Sequence, residues 1–159
     1  AVLVSERDEL TEVNSQLARK VTAGSVINVN NLVAVGEKQR NSGKYVERNS
    51  AKNVDRIKVC FETEENRVAS PGEETYYLRI IQPSGETINI AAEGGGVMRN
   101  EETGEMVAYT KPVAFNFDGE QANMCADWNV PTQQYAAGIY TVELYNKGYL
   151  AGATTLKLK

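Results

Sequence analysis

Residues Gly138 to Lys159 read G-I-Y-T-V-E-L-Y-N-K-G-Y-L-A-G-A-T-T-L-K-L-K. Tyr140, Val142 and Leu144 alternate with Thr141 and Glu143, and a second run alternates toward Leu156 and Leu158. Successive strand side chains point to opposite faces, so this two-residue period marks half-buried β-strands. Asn146-Lys147-Gly148 lies between the runs and supplies the reversal, so the stretch reads as a β-hairpin. The fold class that follows is mainly β.

The same period recurs upstream. In 54–63, Ile57, Val59 and Phe61 share one face while Arg56, Lys58 and Glu62 share the other. Pro71-Gly72 makes a turn, Tyr76, Leu78 and Ile80 alternate after it, and Pro83-Ser84-Gly85 ends that strand. Residues 87–91 and 106–117 flank Glu93-Gly94-Gly95-Gly96, whose glycines predict a flexible hairpin end. Met124, Ala126 and Trp128 form another inward set, with Trp128 expected in the core, and Pro131 breaks it. Residues 25–35 give a first strand, bulged at Asn30-Asn31. The polar stretch 36–53 predicts an exposed loop or hairpin tip. Its cations, Lys38, Arg40, Lys44, Arg48 and Lys52, suit either plain solvation or an anionic partner such as a lipid headgroup or acidic glycan. Roughly seven or eight strands separated by turns favour an antiparallel two-sheet sandwich of immunoglobulin-like type over residues 24–159.

Residues 2–21 carry a different period. Leu3, Leu10 and Leu17 recur every seven residues, and Arg7, Asn14 and Val21 fill the second seam position. Leucine at d with a buried asparagine at a favours a parallel two-stranded coiled coil, in which Asn14 bonds its twin. Residues 1–23 are therefore expected to end a stalk helix, capped near Gly24, and to make the protein a homodimer. The alternative is an amphipathic helix folded back on the sheets, burying Val13 and Leu17.

Of the 159 residues, 42% are hydrophobic and 24% charged, a balance that allows a real core. The net charge of −4 argues against nucleic acid, whose affinity depends on cations that neutralise phosphate. The chain has no histidine, which removes the commonest general base and the commonest zinc ligand. No cofactor and no metal are expected. No apolar run approaches the ~18 residues that mark a membrane span. The sequence starts at Ala1 within the helical pattern, so a membrane anchor is expected upstream of this fragment.

Cys60 and Cys125 both fall in expected strands, and their neighbours of like parity are polar. A bridge between them would join neighbouring strands of one sheet; the other reading is two independent half-buried thiols. Neither has a histidine to activate it for thiol catalysis. Glu62, Glu64, Glu65 and Asn66, and separately Asp118-Gly119-Glu120, are oxygen clusters, but they lack the ligand spacing of a defined calcium loop. Glu93-Gly94-Gly95-Gly96 lacks the GK[ST] ending of a phosphate loop. Tyr45, Tyr109, Tyr135, Tyr145 and Tyr149 are the binding candidates, since a phenol offers a flat apolar face with a polar tip.

The succession Val59-Cys60-Phe61, Tyr77 to Gly85, Cys125-Ala126-Asp127-Trp128 and Gly138 to Tyr145 resembles a group of Bacteroidota envelope proteins without an assigned activity. The resemblance implies a membrane-spanning segment, a long coiled coil and a C-terminal immunoglobulin-like domain, with no catalytic residues to carry over. The stretch 93–105 departs from it, being longer and richer in glycine. Gly138-x-Tyr140-x-Val142 also resembles the corner tyrosine of immunoglobulin-like sandwiches, whose hydroxyl bonds backbone upstream.

The expected function is that of a non-catalytic cell-envelope protein, anchored on the periplasmic face. Its stalk would present the domain to a protein partner. A carbohydrate-binding module using Tyr135, Tyr145 or Tyr149 and the 93–105 hairpin is the runner-up, and an enzyme built on a carboxylate pair is more remote.

Overall fold

The computed structural model describes residues 24–159. The expected stalk helix, with its seam of Leu3, Leu10, Asn14 and Leu17, lies outside the described residues.

Ten strands are described: β1 (Val29–Gln39), β2 (Tyr45–Glu47), β3 (Arg56–Thr63), β4 (Gly72–Ile81), β5 (Gly96–Arg99), β6 (Met106–Tyr109), β7 (Lys111–Phe117), β8 (Ala122–Trp128), β9 (Gly138–Asn146) and β10 (Tyr149–Leu158). They form two four-stranded antiparallel sheets, ordered β2-β1-β3-β8 and β10-β9-β4-β7, and a separate two-stranded β5-β6 ribbon. The chain is mainly β, as its period predicts.

The two larger sheets bury their inward faces against each other. Ile57, Val59 and Phe61 of β3 are buried, as are Tyr76, Leu78 and Ile80 of β4 and Tyr140, Val142 and Leu144 of β9. Phe61 meets Tyr76 edge to face across the layers, with ring centroids 5.3 Å apart. Trp128 is buried with them. Each large side chain removed from water here contributes on the order of 1.5–3 kcal/mol before entropy is counted.

Along one side the layers meet where β1 runs beside β10. A Cβ at Gly152 would collide with Val29, and one at Gly36 would lie 2.7 Å from Val54 and 2.8 Å from the Arg48 carbonyl. Glycine at both places lets the backbones close together. Asn31, at φ 52°, lies where the β1–β3 register shifts between Asn30 and Val33, the site of the expected bulge. Lys147 and Gly148 have φ of 56° and 87°, the left-handed pair that a two-residue hairpin turn requires.

Within 36–53 the second of the two readings holds: β1 runs through Gln39 and pairs with β2, and the hairpin tip lies at 40–44. One feature differs from the sequence reading: Glu93 to Gly96 is not a hairpin end. A 3-10 turn at Ala91–Glu93 leads into β5, and the ribbon reverses at 100–105 instead. There Asn100 Oδ1 accepts from the Glu102 and Thr103 amides. The glycines serve close packing: a Cβ on Gly95 would lie 2.7 Å from the Ile90 nitrogen, and one on Gly96 2.5 Å from the Tyr109 hydroxyl.

The ribbon covers the outward side of the β4-containing sheet as a partial third layer. Arg79, on the outward face of β4, donates to the Ala108 carbonyl and pairs with Glu143 at 2.9 Å. Tyr77 and Tyr109 approach at 4.8 Å between centroids. Asn89 donates to the carbonyls of Gly96 and Tyr109, and the Glu101 amide donates to the Gly148 carbonyl.

Candidate functional site

The structure separates the expected tyrosines. Tyr135 is 9% exposed and Tyr145 5%, so neither offers a stacking face, and both are corrected as binding candidates. Tyr135 sits in the core, where its hydroxyl donates to the Trp128 carbonyl at 3.3 Å. Tyr145 has outward parity on β9, but it lies opposite Tyr77 in the layer the ribbon covers. Tyr149 is half-buried and packs against the core. Tyr45 is taken up by Arg56, whose guanidinium carbon is 3.4 Å from the ring centroid, and its hydroxyl accepts from Asn129. Of the five, only Tyr109 lines a cleft among those described below.

Burial pushes the Tyr76 and Tyr135 phenols far above their ordinary range. The nearby Glu74 and Glu64 charges raise Tyr76 further, and Tyr140 and Asp55 add to the shift of Tyr135. Tyr140 and Tyr145 are raised by burial as well. These hydroxyls act as structural donors: Tyr76 bonds the Ile27 carbonyl at 2.8 Å, and Tyr140 bonds the Ala136 carbonyl four residues upstream at 2.8 Å.

Cys60 and Cys125 are bonded. They are directly opposed on β3 and β8, with Cα atoms 4.1 Å apart, so the bridge joins neighbours within one sheet. It lies on the face turned away from the core.

The oxygen clusters do meet, because the 64–70 loop and the 118–121 turn lie side by side. Asn66 organises them rather than ligating: Nδ2 donates to the Gly24 and Val26 carbonyls, and Oδ1 accepts from the Val68 and Ala69 amides. Among the described residues no group of three or more acidic, cysteine or histidine side chains has metal-binding geometry.

Sequence reasoning missed a buried polar knot. Asn146 is fully buried; its Oδ1 accepts from the Ile27 amide at 3.0 Å and its Nδ2 donates to the Thr75 carbonyl at 3.0 Å. Beside it the Lys147 ammonium reaches Ser25 O, Ser25 Oγ and Glu74 Oε1, at 2.8, 3.0 and 3.1 Å. In the sequence both residues read as turn formers, and nothing local shows that the 25–27 segment will lie over them.

The clefts at the two ends of the sheets differ in the charges that line them. A cleft of about 610 Å³ at the β1–β2 tip is lined by Lys38, Gln39, Arg40, Asn41, Ser42 and Arg48, with no carboxylate. The opposite end carries a cleft of about 380 Å³ that includes Glu65, Asp118 and Glu120, with Arg67 paired to Glu65. Residue 24 belongs to that acidic end, through the Asn66 contact.

A third cleft, about 350 Å³, lies between the ribbon and the β9–β10 turn. Tyr77, Val97, Arg99, Glu101, Tyr109 and Lys147 line it. Neither the Tyr77 nor the Tyr109 hydroxyl has a hydrogen-bond partner among the described residues. Arg99 Nε lies 4.0 Å from Glu101 Oε2.

Residues 30–159 match the family model described as Domain of unknown function (DUF8428), and the chain belongs to that family. No curated protein matches the chain. Among solved structures, one similar chain is a Pseudomonas fluorescens alkylpurine DNA glycosylase, AlkC, bound to DNA containing an abasic site analog. Identity is 16% and the TM-score 0.46, over 84% of this chain and 30% of the glycosylase. A second is the archaeal flagellum of Methanospirillum hungatei strain JF1, at 13% identity and TM-score 0.44, over 100% of this chain and 84% of that one. At these scores neither carries a fold or a function across to this chain.

Proposed function

We propose that this chain is a non-catalytic interaction domain of the cell envelope, immunoglobulin-like in build. A coiled-coil stem holds it out and its loops meet a protein partner. The observation that carries this reading is the direction of the strands. The chain passes residue 24 at the acidic end, while the 40–44 tip and the 82–86 and 129–137 loops lie at the other. Whatever is joined ahead of residue 24 therefore attaches at the end away from those loops.

The immunoglobulin-like assignment is supported by two facing antiparallel sheets, a buried tryptophan and a corner tyrosine whose hydroxyl bonds backbone upstream. The disulfide departs from that type, because it lies within one sheet rather than between two. Pairing copies through a stem raises the local concentration of the second domain, so weak single contacts give useful avidity.

Sedimentation of the full chain beside a form lacking residues 1–21 tests the stem. The full chain is expected to be dimeric and the shortened form monomeric; a shortened form that stays dimeric would place the assembly in the sheets. Photo-crosslinking in cells from Asn41 is expected to trap a discrete protein that crosslinking from Glu65 does not.

A further inference from the structure

We infer that the cleft between the β5-β6 ribbon and the β9–β10 turn is a binding site for a neutral pyranose unit of a glycan. Its volume falls within the range of small-ligand clefts, at about 350 Å³. The site stands on the ribbon's flank and does not depend on the stem or on a protein partner.

The lining matches the two sides of a sugar ring. One side of a pyranose presents C–H groups, which an aromatic face covers without losing any hydrogen bond. Tyr77 and Tyr109, half-buried and touching each other at 4.8 Å between centroids with a 53° tilt, line the cleft with the parts of their rings that this contact leaves uncovered. The exposed Val97, at 63%, extends the apolar wall. The other side presents hydroxyls, each both a donor and an acceptor. Arg99 offers a planar fork of donors and Glu101 a pair of acceptor oxygens, the complement that neighbouring hydroxyls require. The phenol hydroxyls of Tyr77 and Tyr109 stand unpartnered and can do either.

The charges favour a neutral ligand over an acidic one. Lys147 lines the cleft, but its three N–H groups are directed to Ser25 O, Ser25 Oγ and Glu74. Glu101 stands by Arg99 and offsets its charge. An anionic sugar would find more free cations at the β1–β2 tip. The ribbon backbone is held in place before any ligand arrives. Asn89 pins both ribbon strands, Arg79 bonds the Ala108 carbonyl, and the Glu101 amide bonds Gly148. The ordering cost on binding therefore falls on the exposed side chains of Arg99 and Glu101.

The test is titration of the full chain with neutral gluco-, manno- and galacto-oligosaccharides, followed by amide and aromatic NMR shifts. At least one is expected to shift residues 97–101, Tyr77 and Tyr109 with saturable binding. Tyr109→Ala is expected to weaken that binding about tenfold, equivalent to ~1.4 kcal/mol. Arg99 has a side chain 64% exposed, so Arg99→Ala keeps the fold and is expected to weaken binding to a similar degree. The double charge reversal Lys38→Glu with Arg40→Glu is expected to leave it unchanged. Three results would overturn the assignment. They are no shift with any neutral sugar, undiminished binding in both Tyr109→Ala and Arg99→Ala, or binding confined to anionic sugars and lost on reversing Lys38 and Arg40.

Discussion

Asn146 holds three segments with one amide group, joining the 25–27 segment, β4 and its own strand. Replacing it with Ala leaves the Ile27 amide and the Thr75 carbonyl without that partner. A buried group left unpaired costs about 1–3 kcal/mol, so Asn146→Ala is expected to lower unfolding free energy by at least that much in urea titrations. The buried tyrosines predict the alkaline limit. Tyr76 and Tyr135 hold their protons more tightly when folded than at the unfolded value of 10.0. Their contribution is complete below pH 10 and is lost as pH climbs from there toward the raised folded values. Tyrosinate absorbance should therefore rise together with the loss of β circular dichroism above pH 10, and Tyr76→Phe should blunt that coupling. Trp128 and Tyr140 were legible one by one, from inward parity and from the Gly-x-Tyr spacing. The partners of Asn146 were not, since they lie 119 and 71 positions away in sequence.

At the scale of elements, the β9–β10 turn serves the hairpin and the ribbon at once. Gly148 has φ 87°, and a Cβ there would lie 2.5 Å from Glu101 Cγ and 2.9 Å from the Arg99 carbonyl. Gly148→Ala combines left-handed strain with a clash, so a loss of about 1–3 kcal/mol in thermal unfolding is expected. The Glu101 amide should also exchange faster with solvent, as its bond to the Gly148 carbonyl weakens. The disulfide ties β3 to β8 across 65 positions. Cys60→Ser with Cys125→Ser is expected to lower stability by about 2–4 kcal/mol while keeping the strand register, as read by chemical denaturation and NMR. Period two revealed β3, β4, β9 and β10 because each has one face in the core and one outside it. The ribbon was harder to place. Its glycines carry the composition of a flexible loop, whereas their actual reason is the proximity of Ile90, Asn89 and Tyr109. That hidden layer also explains the misplacement of Tyr145, whose parity alone points to solvent.

For the whole molecule, the clefts at the two ends differ in the sign of their charged lining, and the described residues run from one end to the other. Residue 24 lies at the acidic end. Lys159 lies by the basic tip, exchanging backbone bonds with Asn49 and Ala51. The strands nearest these points, β1 and β10, run alongside each other at the place where Gly36 and Gly152 let the layers close. A tension drawn between residue 24 and Lys159 would therefore act lengthwise on both strands. Many rungs of each ladder would share the load at once, rather than parting one after another as in a zipper. Single-molecule stretching through those two residues should give a high rupture force, and pulling β10 sideways from its turn a much lower one.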